Sequence, residues 1–508
     1  MRNHFAIVMT LLLALASACL AHVGSPDVYF QGLAGPYHLV VRVRTPPMIP
    51  GVADIQVHSD TPGVRQLQAT PLYLVGAGSK YPPPPDILQP APGDPQSFVG
   101  KLWLMDAGSW QVQIQAKGSL GSGTLALPVP AFARSTLPMQ KGLGAFLLIL
   151  MVLLVAALVS IFGAARREAT LPPGEEPGPA RKRGAWRVMA AALALIIGAL
   201  AIGNRWWNLV AAANETRKIY HPPNLIVSLA GQTMTLEVGE SRWHIRRPDT
   251  VMTEIIPDHG HLMHLFLVRE PQMDRMYHLH PERESLEPTT FVLSFAGIEP
   301  GRYKAFADIV RASGFPDTMV AEVDVPETKG NAITGDDSEA NSQPLTWRSA
   351  GNLETPLSDQ VRMVWERNPG PLASNQLLWF RFRVEDATGK PVTDLEPYMG
   401  MALHAEFIAS DFSVFAHVHP DGSVPMAALN LADQTLRGKP TEAANGPGAM
   451  AGMDMSMPGM GGERDLSTAL PAELSFPYGF PKPGLYRIFV QVKRREKVET
   501  GVFDAQVN

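Results

Sequence analysis

Hydrophobic and polar residues alternate along several short segments of the chain, as is typical of β-strands with one face in a core. In residues 109–117 the apolar face carries Trp110, Val112, Ile114 and Ala116, and glutamines occupy the other face. Residues 37–43 and 52–58 follow the same pattern, with Pro and Gly between the segments. Residues 22–135 are therefore predicted to form an immunoglobulin-like β-sandwich.

Two apolar runs interrupt this pattern. Residues 143–162 contain no charge and are long enough to span a bilayer, and residues 188–204 form a second, shorter span. The intervening loop, 163–187, is basic and is predicted to be cytoplasmic, with both flanks outside. Neither span contains an ionisable residue, so the pair is predicted to anchor the chain to the membrane rather than to transport a solute. The basic residues are Arg166, Arg167, Arg181, Lys182, Arg183 and Arg187.

Beyond the spans, strand-like patterning returns in two blocks. We predict β domains at 222–327 and 346–508, joined by a polar, flexible linker at 328–345. A loop at 435–466 interrupts the second block. The predicted fold is thus mainly β, with three immunoglobulin-like sandwiches and two transmembrane helices between the first and the second.

The N-terminus and the cysteine content constrain the compartment and the available ligands. Residues 1–21 resemble a secretory signal, and cleavage after Ala21 would expose His22; lipoprotein processing at Cys19 is the alternative. Cys19 is the only cysteine, so a soft-metal site must use Met and His. The net charge is −5 and is spread along the chain without a basic patch, which argues against nucleic acid as a partner.

Histidines are concentrated in residues 258–282, and the pattern recurs in residues 400–422. A single His precedes an H-x-H pair by 14 residues in the first copy and by 13 in the second. Because residues i and i+2 of a strand face the same way, three imidazoles can converge on Cu(II) or Zn(II). The alternative is a turn signature whose histidines bond to the backbone. The candidate ligands are His264, His278, His280, His404, His417 and His419, with His259 and His261 as additional candidates.

The loop at 435–466 is rich in methionine, and thioethers are soft ligands that suit Cu(I). Idle methionines outside the cell would also be exposed to oxidation. The alternative is a disordered, low-complexity loop. The candidate ligands are Met450, Met453, Met455, Met457 and Met460. His22, if it is the mature N-terminus, could chelate Cu(II) through its amine and its ring.

These motifs resemble known bacterial families. The repeated GHLMH…HLHPE…PGRY and GMALH…HVHPD…PGLY patterns are similar to YtkA-like and FixH-like β-sandwich domains, which are associated with copper handling and oxidase maturation. The HVGSP sequence from His22 resembles the start of the copper-resistance protein CopC, and MDMSM resembles the Met-rich segments of periplasmic copper-resistance oxidases. The resemblance implies copper chemistry, although CopC's further ligands have no counterpart that can be placed here.

We therefore expect a non-enzymatic, copper-binding protein of the bacterial inner membrane, with most of its chain in the periplasm. It would sequester copper or deliver it to an efflux system or an oxidase subunit, with zinc as the alternative metal. Two rival hypotheses remain: a metal-free envelope scaffold, and a copper monooxygenase that uses His22. No catalytic triad, carboxylate pair or phosphate-binding motif is present in the sequence.

Overall fold

The computed structural model describes residues 27–239, 254–330, 333, 335–368, 370–437 and 470–508. These residues are mainly β, with two long apolar helices between the first β region and the others, so the predicted fold class is confirmed. The described chain divides into two compact units. Residues 133–220 form a helical unit, and the chain on either side of it forms a β unit.

The N-terminal sandwich consists of two antiparallel sheets that share one core. One sheet has the order β1-β2-β3-β7-β6 and the other β5-β4-β8-β9. The predicted alternation is confirmed in β8, where Val112, Ile114 and Ala116 are fully buried. The strands are β1 (Asp27–Ala34), β2 (Tyr37–Arg44), β3 (Gly51–Ser59), β4 (Val64–Tyr73), β5 (Asp86–Ile87), β6 (Gln89–Ala91), β7 (Asp94–Leu104), β8 (Gly108–Gly118) and β9 (Gly121–Ala131), with a 3-10 turn at Ala77–Lys80.

The helical unit contains α1 (Lys141–Glu168) and α2 (Pro179–Lys218), both long and apolar enough to cross a membrane. Both extend beyond the predicted spans. Pro179 occupies the first turn of α2, where its missing N–H costs nothing. The basic residues that follow it are good helix formers, so α2 begins well before its apolar run. Only 169–178 of the predicted loop 163–187 is non-helical.

The middle sandwich pairs an outer sheet, β10-β11-β16-β15, with an inner sheet, β12-β17-β13-β14-β19, in which β18 also pairs with β17. Its strands are β10 (Leu225–Ala230), β11 (Thr233–Val238), β12 (Ile255–Ile256), β13 (His264–Arg269), β14 (Arg275–Leu279), β15 (Glu282–Arg283), β16 (Thr290–Ser294), β17 (Gly301–Arg311), β18 (Pro316–Val325) and β19 (Ser338–Asn341).

The C-terminal sandwich repeats this plan. Its outer sheet is β20-β21-β22-β26, and its inner sheet is β23-β27-β24-β25, with β28 paired to β27. The elements are β20 (Glu354–Pro356), β21 (Arg362–Trp365), β22 (Leu378–Glu385), β23 (Leu395–Glu396), β24 (His404–Ala409), β25 (Phe415–Val418), α3 (Met426–Leu436), β26 (Glu473–Tyr478), β27 (Gly484–Arg494) and β28 (Lys497–Val507), with a 3-10 turn at Ser358–Gln360.

The two inner sheets pack against each other through the faces that point away from their own sandwiches. Leu265 and Leu267 point into the middle core, whereas Phe266 points across to Phe415 and Phe489 of the C-terminal inner sheet. Burial of each phenylalanine side chain stabilises the folded protein by about 1.5–3 kcal/mol. His264 lies on the same face as Phe266, because strand residues alternate. The histidines of both copies therefore lie at one interface.

Residues 328–345 are not simply the flexible linker that the sequence predicted. Within them, β19 pairs with β14 at the edge of the middle inner sheet. Ser338 and Ala340 are buried while Glu339 and Asn341 are exposed, so this polar segment has strand periodicity that its composition obscures.

The N-terminal sandwich docks onto the turn that follows the second H-x-H pair. The Gln31 amide donates to the Asp421 carbonyl at 2.8 Å, and the Ser423 amide donates to the Tyr29 carbonyl at 2.9 Å. Gly422 permits this approach, because a Cβ there would lie 2.0 Å from the Tyr29 oxygen. Helix α3 packs into the N-terminal core through Ala428 and Ala432.

Candidate metal centre

Eight histidines, five from the first copy of the repeat and three from the second, form one cluster between the two inner sheets. Strands β13 and β24 begin with His264 and His404, and the H-x-H pairs lie at the ends of β14 and β25. The ladders set these positions, because Leu265 pairs with Leu279 and Ala405 with Val418. The cluster contains His259, His261, His264, His278, His280, His404, His417 and His419.

Three of these residues, His264, His278 and His280, form the first group. Their candidate ligand nitrogens all lie within 4.8 Å of one another. His264 Nδ1 lies 3.1 Å from His278 Nε2. Two nitrogens bound tetrahedrally to one Zn or Cu ion lie about 3.3 Å apart, given bond lengths of about 2.0–2.1 Å. The spacing therefore fits a shared ion.

The outer nitrogen of every ring in the first group has an oxygen acceptor. His264 Nε2 donates to the Asp258 carbonyl at 3.1 Å, and His278 Nδ1 donates to Gln491 Oε1 at 2.8 Å. His280 Nδ1 donates to Asp337 Oδ1 at 2.9 Å. Since these nitrogens carry the protons, the inner nitrogens carry lone pairs and point at one another. Facing lone pairs repel unless a cation lies between them, and oxygen-bonded outer nitrogens are the usual support for metal-ligating histidines.

The second group contains His259, His404 and His419, and so it draws one ligand from the first copy. His259 Nδ1 donates to the Met399 carbonyl at 3.0 Å, and its Nε2 lies 3.2 Å from His419 Nε2. Both nitrogens of His404 and the Nδ1 of His419 are buried without a hydrogen-bond partner in the described parts of the chain. Buried polar atoms are rarely left unpaired, so these atoms also fit an ion.

Tight turns bring His259 to the second copy. His259 and Gly260 have φ values of 51° and 87°, and Met399 and Gly400 have 50° and 80° in the equivalent turn. Positive φ at both central positions defines a type I′ turn, which Gly tolerates at its second position. The turn tips meet across the interface, which is where the His259 ring contacts the Met399 carbonyl.

Burial keeps six of the rings neutral. It lowers the pKa of His264, His278, His404 and His419 well below the usual range, and neighbouring histidines add to the effect. Burial also lowers the pKa of His280 and of His417 to about 3. Neutral imidazole is the form that binds metal, so no proton has to leave before an ion can bind.

The structure brings the predicted ligands together unevenly. His264, His278 and His280 share the first group, and His404 and His419 share the second with His259. His417 lies between the groups, with its ring centre 5.5 Å from those of His264 and His404. His261 stacks on His280 at 3.9 Å but belongs to neither group. His22, Met450, Met453, Met455, Met457 and Met460 lie outside the described residues.

A cavity of about 130 Å³ opens beside the cluster, between the N-terminal sandwich and the two inner sheets. His264, His417, His419, Asp258 and Asp308 form one wall. Phe132, Pro128 and Val424 form part of the apolar remainder. The cavity therefore offers a small ion or ligand a route to the histidines.

The fold and the site define a β-sandwich protein with two helices long and apolar enough to cross a membrane and a buried interface of histidines. A family model described as a domain of unknown function (DUF8832) matches residues 223–327 and 358–508, so the chain belongs to that family. The match covers both copies of the repeat. No curated protein matches the chain.

Solved structures show only remote similarity. A tetra-tandem repeat from the extending region of a large adhesion protein is 7% identical, with TM-score 0.15, and the alignment covers 91% of this chain and 71% of that one. E. coli alpha-2-macroglobulin is 8% identical, with TM-score 0.19, covering 96% and 22%. The ICAM-5 D1–D4 ectodomain fragment is 8% identical, with TM-score 0.14, covering 91% and 74%. At these scores the similarities carry no argument about function.

Proposed function

We propose that this protein binds copper at the interface between its two C-terminal sandwiches and sequesters it at the bacterial inner membrane. The observation that carries the proposal is the first group, where three outer nitrogens are bonded to oxygen and three inner nitrogens converge. This arrangement holds the ligand geometry before the ion arrives, which is how proteins increase metal affinity.

Three neutral imidazoles accept either copper or zinc, so the choice of metal rests on the methionine-rich tract of the sequence. Burial of the rings favours retention of the ion over rapid exchange, because the ligands are shielded from solvent. A partner such as an efflux system or an oxidase subunit would receive copper through the cavity beside the cluster. We assign no catalytic role to these residues.

The helical unit supports attachment to a membrane. The helix ends on either side of the proline-containing connection 169–178 carry six basic residues, and the positive-inside rule assigns such a region to the cytoplasm. The β unit would then lie in the periplasm, where Cu(I) and Cu(II) are both encountered. That orientation matches the signal-like residues 1–21.

The test is copper retention by the full chain purified in detergent. A variant with His264, His278 and His280 changed to Ala is compared with the parent by metal analysis and by chelator competition for Cu(I). A matched control changes three histidines outside the cluster, His38, His58 and His221. We expect the cluster variant to lose at least one tightly held equivalent and the control to lose none.

The other outcomes are equally informative. Copper retained by the cluster variant would exclude the first group as a site. If the parent retains zinc instead of copper, the proposed site stands but the proposed metal is wrong. No metal in the parent would exclude the proposal and favour the scaffold hypothesis.

A further inference from the structure

Glu406 is a charged residue in the middle of a buried strand, and neither three-histidine group uses it. Strand β24 is buried at every position, from His404 to Ala409. Glu406 lies two residues after His404 and directly opposite His417 in the β24–β25 ladder. Its side chain therefore lies on the interface face, beside the His417 ring.

The equivalent position in the first copy is apolar. Phe266 lies two residues after His264 and opposite His278, and its ring stacks on the His278 ring at 4.2 Å. The second copy thus has a carboxylate beside His417, at the position where the first copy has a phenyl ring beside His278. Packing alone does not require this change, because the phenyl ring fills its own site well.

The carboxylate of Glu406 is fully buried, and neither of its oxygens has a hydrogen-bond partner within the ranges that the structure describes. His417 Nε2 is likewise buried and without a partner there. A buried charge is costly unless a counter-charge or a metal accompanies it. Unpaired buried polar atoms on two residues that are paired in one ladder indicate a cation that would satisfy them.

A second carboxylate completes the set. Asp308, on β17 of the middle inner sheet, places Oδ2 3.7 Å from His417 Nδ1, and its Oδ1 is buried without a hydrogen-bond partner among the described residues. Its counterpart in the repeat is the neutral Gln491, since His264 pairs with Asp308 and His404 pairs with Gln491. The charge of Asp308 adds to burial in raising the pKa of Glu406, so the two carboxylates interact electrostatically.

We propose that Glu406, Asp308 and His417 form a third cation position, distinct from both three-histidine groups and suited to a divalent ion such as Zn²⁺ or Co²⁺. Two carboxylates balance a charge of +2, and a mixed oxygen and nitrogen set disfavours the softer Cu(I). The cavity beside the cluster is lined by Asp308 and His417, which gives the ion a route to the site. The inference does not depend on copper at the other groups.

The test uses the full chain in detergent, stripped of metal and titrated with Co²⁺ while its visible absorption is recorded. Glu406→Gln keeps the shape of the side chain and removes its charge. We expect it to lose one Co²⁺ equivalent, or to bind that equivalent about 100-fold more weakly. The matched control is Glu385→Gln, a carboxylate that is also buried but is paired with Arg362 and Arg383 of the C-terminal outer sheet.

A Cu(I) titration of the same proteins separates the two proposals. Loss of a Co²⁺ equivalent with Cu(I) binding unchanged supports the third position. Loss of that equivalent in a protein that binds no Cu(I) supports it while excluding copper sequestration. Unchanged Co²⁺ stoichiometry and affinity in Glu406→Gln would overturn the inference. If that variant does not fold, Asp308→Asn is judged by the same criteria.

Discussion

The first and second histidine groups are built from equivalent strands, yet their surroundings differ. In the first group every outer nitrogen has an oxygen acceptor. In the second, His259 alone has an oxygen acceptor, and His404 has no partner in the described chain. The second copy therefore keeps the three histidines in sequence, but His259 takes the place of His417 in its group and different residues orient the rings. Since orientation determines affinity, the two groups should differ in strength.

The largest effect should come from removing one ring from each group. His278→Ala should weaken Cu(I) binding at the first group by more than about 100-fold, since ligand loss exceeds the loss of a supporting residue. His404→Ala should weaken Cu(I) binding at the second group by a smaller factor, because no hydrogen bond orients the His404 ring before the ion binds. Chelator competition on the two single variants measures both. A larger loss from His404→Ala would make the second group the principal site.

A smaller effect should follow from removing a supporting residue of the first group. Asp337→Ala leaves His280 in place but removes the acceptor of its Nδ1 proton and of its backbone amide. We expect the affinity of the first group to fall about 10-fold to 100-fold. Isothermal titration with the metal that the parent retains gives the value.

The neighbouring Asp336 supplies the control for that substitution. Its carboxylate pairs with Lys493 at 3.4 Å and lies 3.7 Å from the His261 ring, but it accepts no hydrogen bond from the three ligands in the described chain. Asp336→Ala should therefore leave the affinity within about threefold of the parent. Equal losses from both variants would mean that the general negative charge, rather than the hydrogen bond to His280, supports the site.

Strand periodicity was sufficient to predict the fold class and the pairing within each H-x-H motif. It could not place His259 in the second group, because a type I′ turn carries that ring across to the other copy. Nor could it identify Gln491, which lies 213 residues from His278 in sequence. Contacts between domains depend on how whole sheets pack, and the hydrophobic pattern within one segment does not determine that packing.

Some residues of the site did leave a signal in the sequence. Glu406 is the one acidic residue in the apolar run 403–409, and a charge within such a run is a reason to look for a partner. Asp337 was harder to recognise, since it lies among polar residues that composition assigns to a linker. The strand that begins directly after it, β19, is visible only as the two-residue periodicity of Ser338 and Ala340.

The last prediction concerns pH and the metal-stripped protein. In the unfolded chain a histidine takes up a proton near pH 6.5, whereas burial lowers the pKa of His280 in the folded protein to about 3. Between these values the unfolded state holds one more proton on this residue than the folded state. The contribution of neutral, buried His280 to the free energy of unfolding is therefore fully present above pH 6.5 and is lost as the pH falls toward 3. The slope is about 1.4 kcal/mol per pH unit for one such residue.

Urea unfolding at pH 4.5 and 5.5 should therefore show a pH dependence that is weaker in His280→Asn by about 1.4 kcal/mol per pH unit. The comparison with the parent cancels contributions of opposite sign, such as that of Glu406, whose pKa burial raises. His221→Asn, at an exposed position, is the control and should keep the parent's slope. An unchanged slope in His280→Asn would show that this ring is hydrated, which would also remove the reason to expect a tightly held ion in the first group.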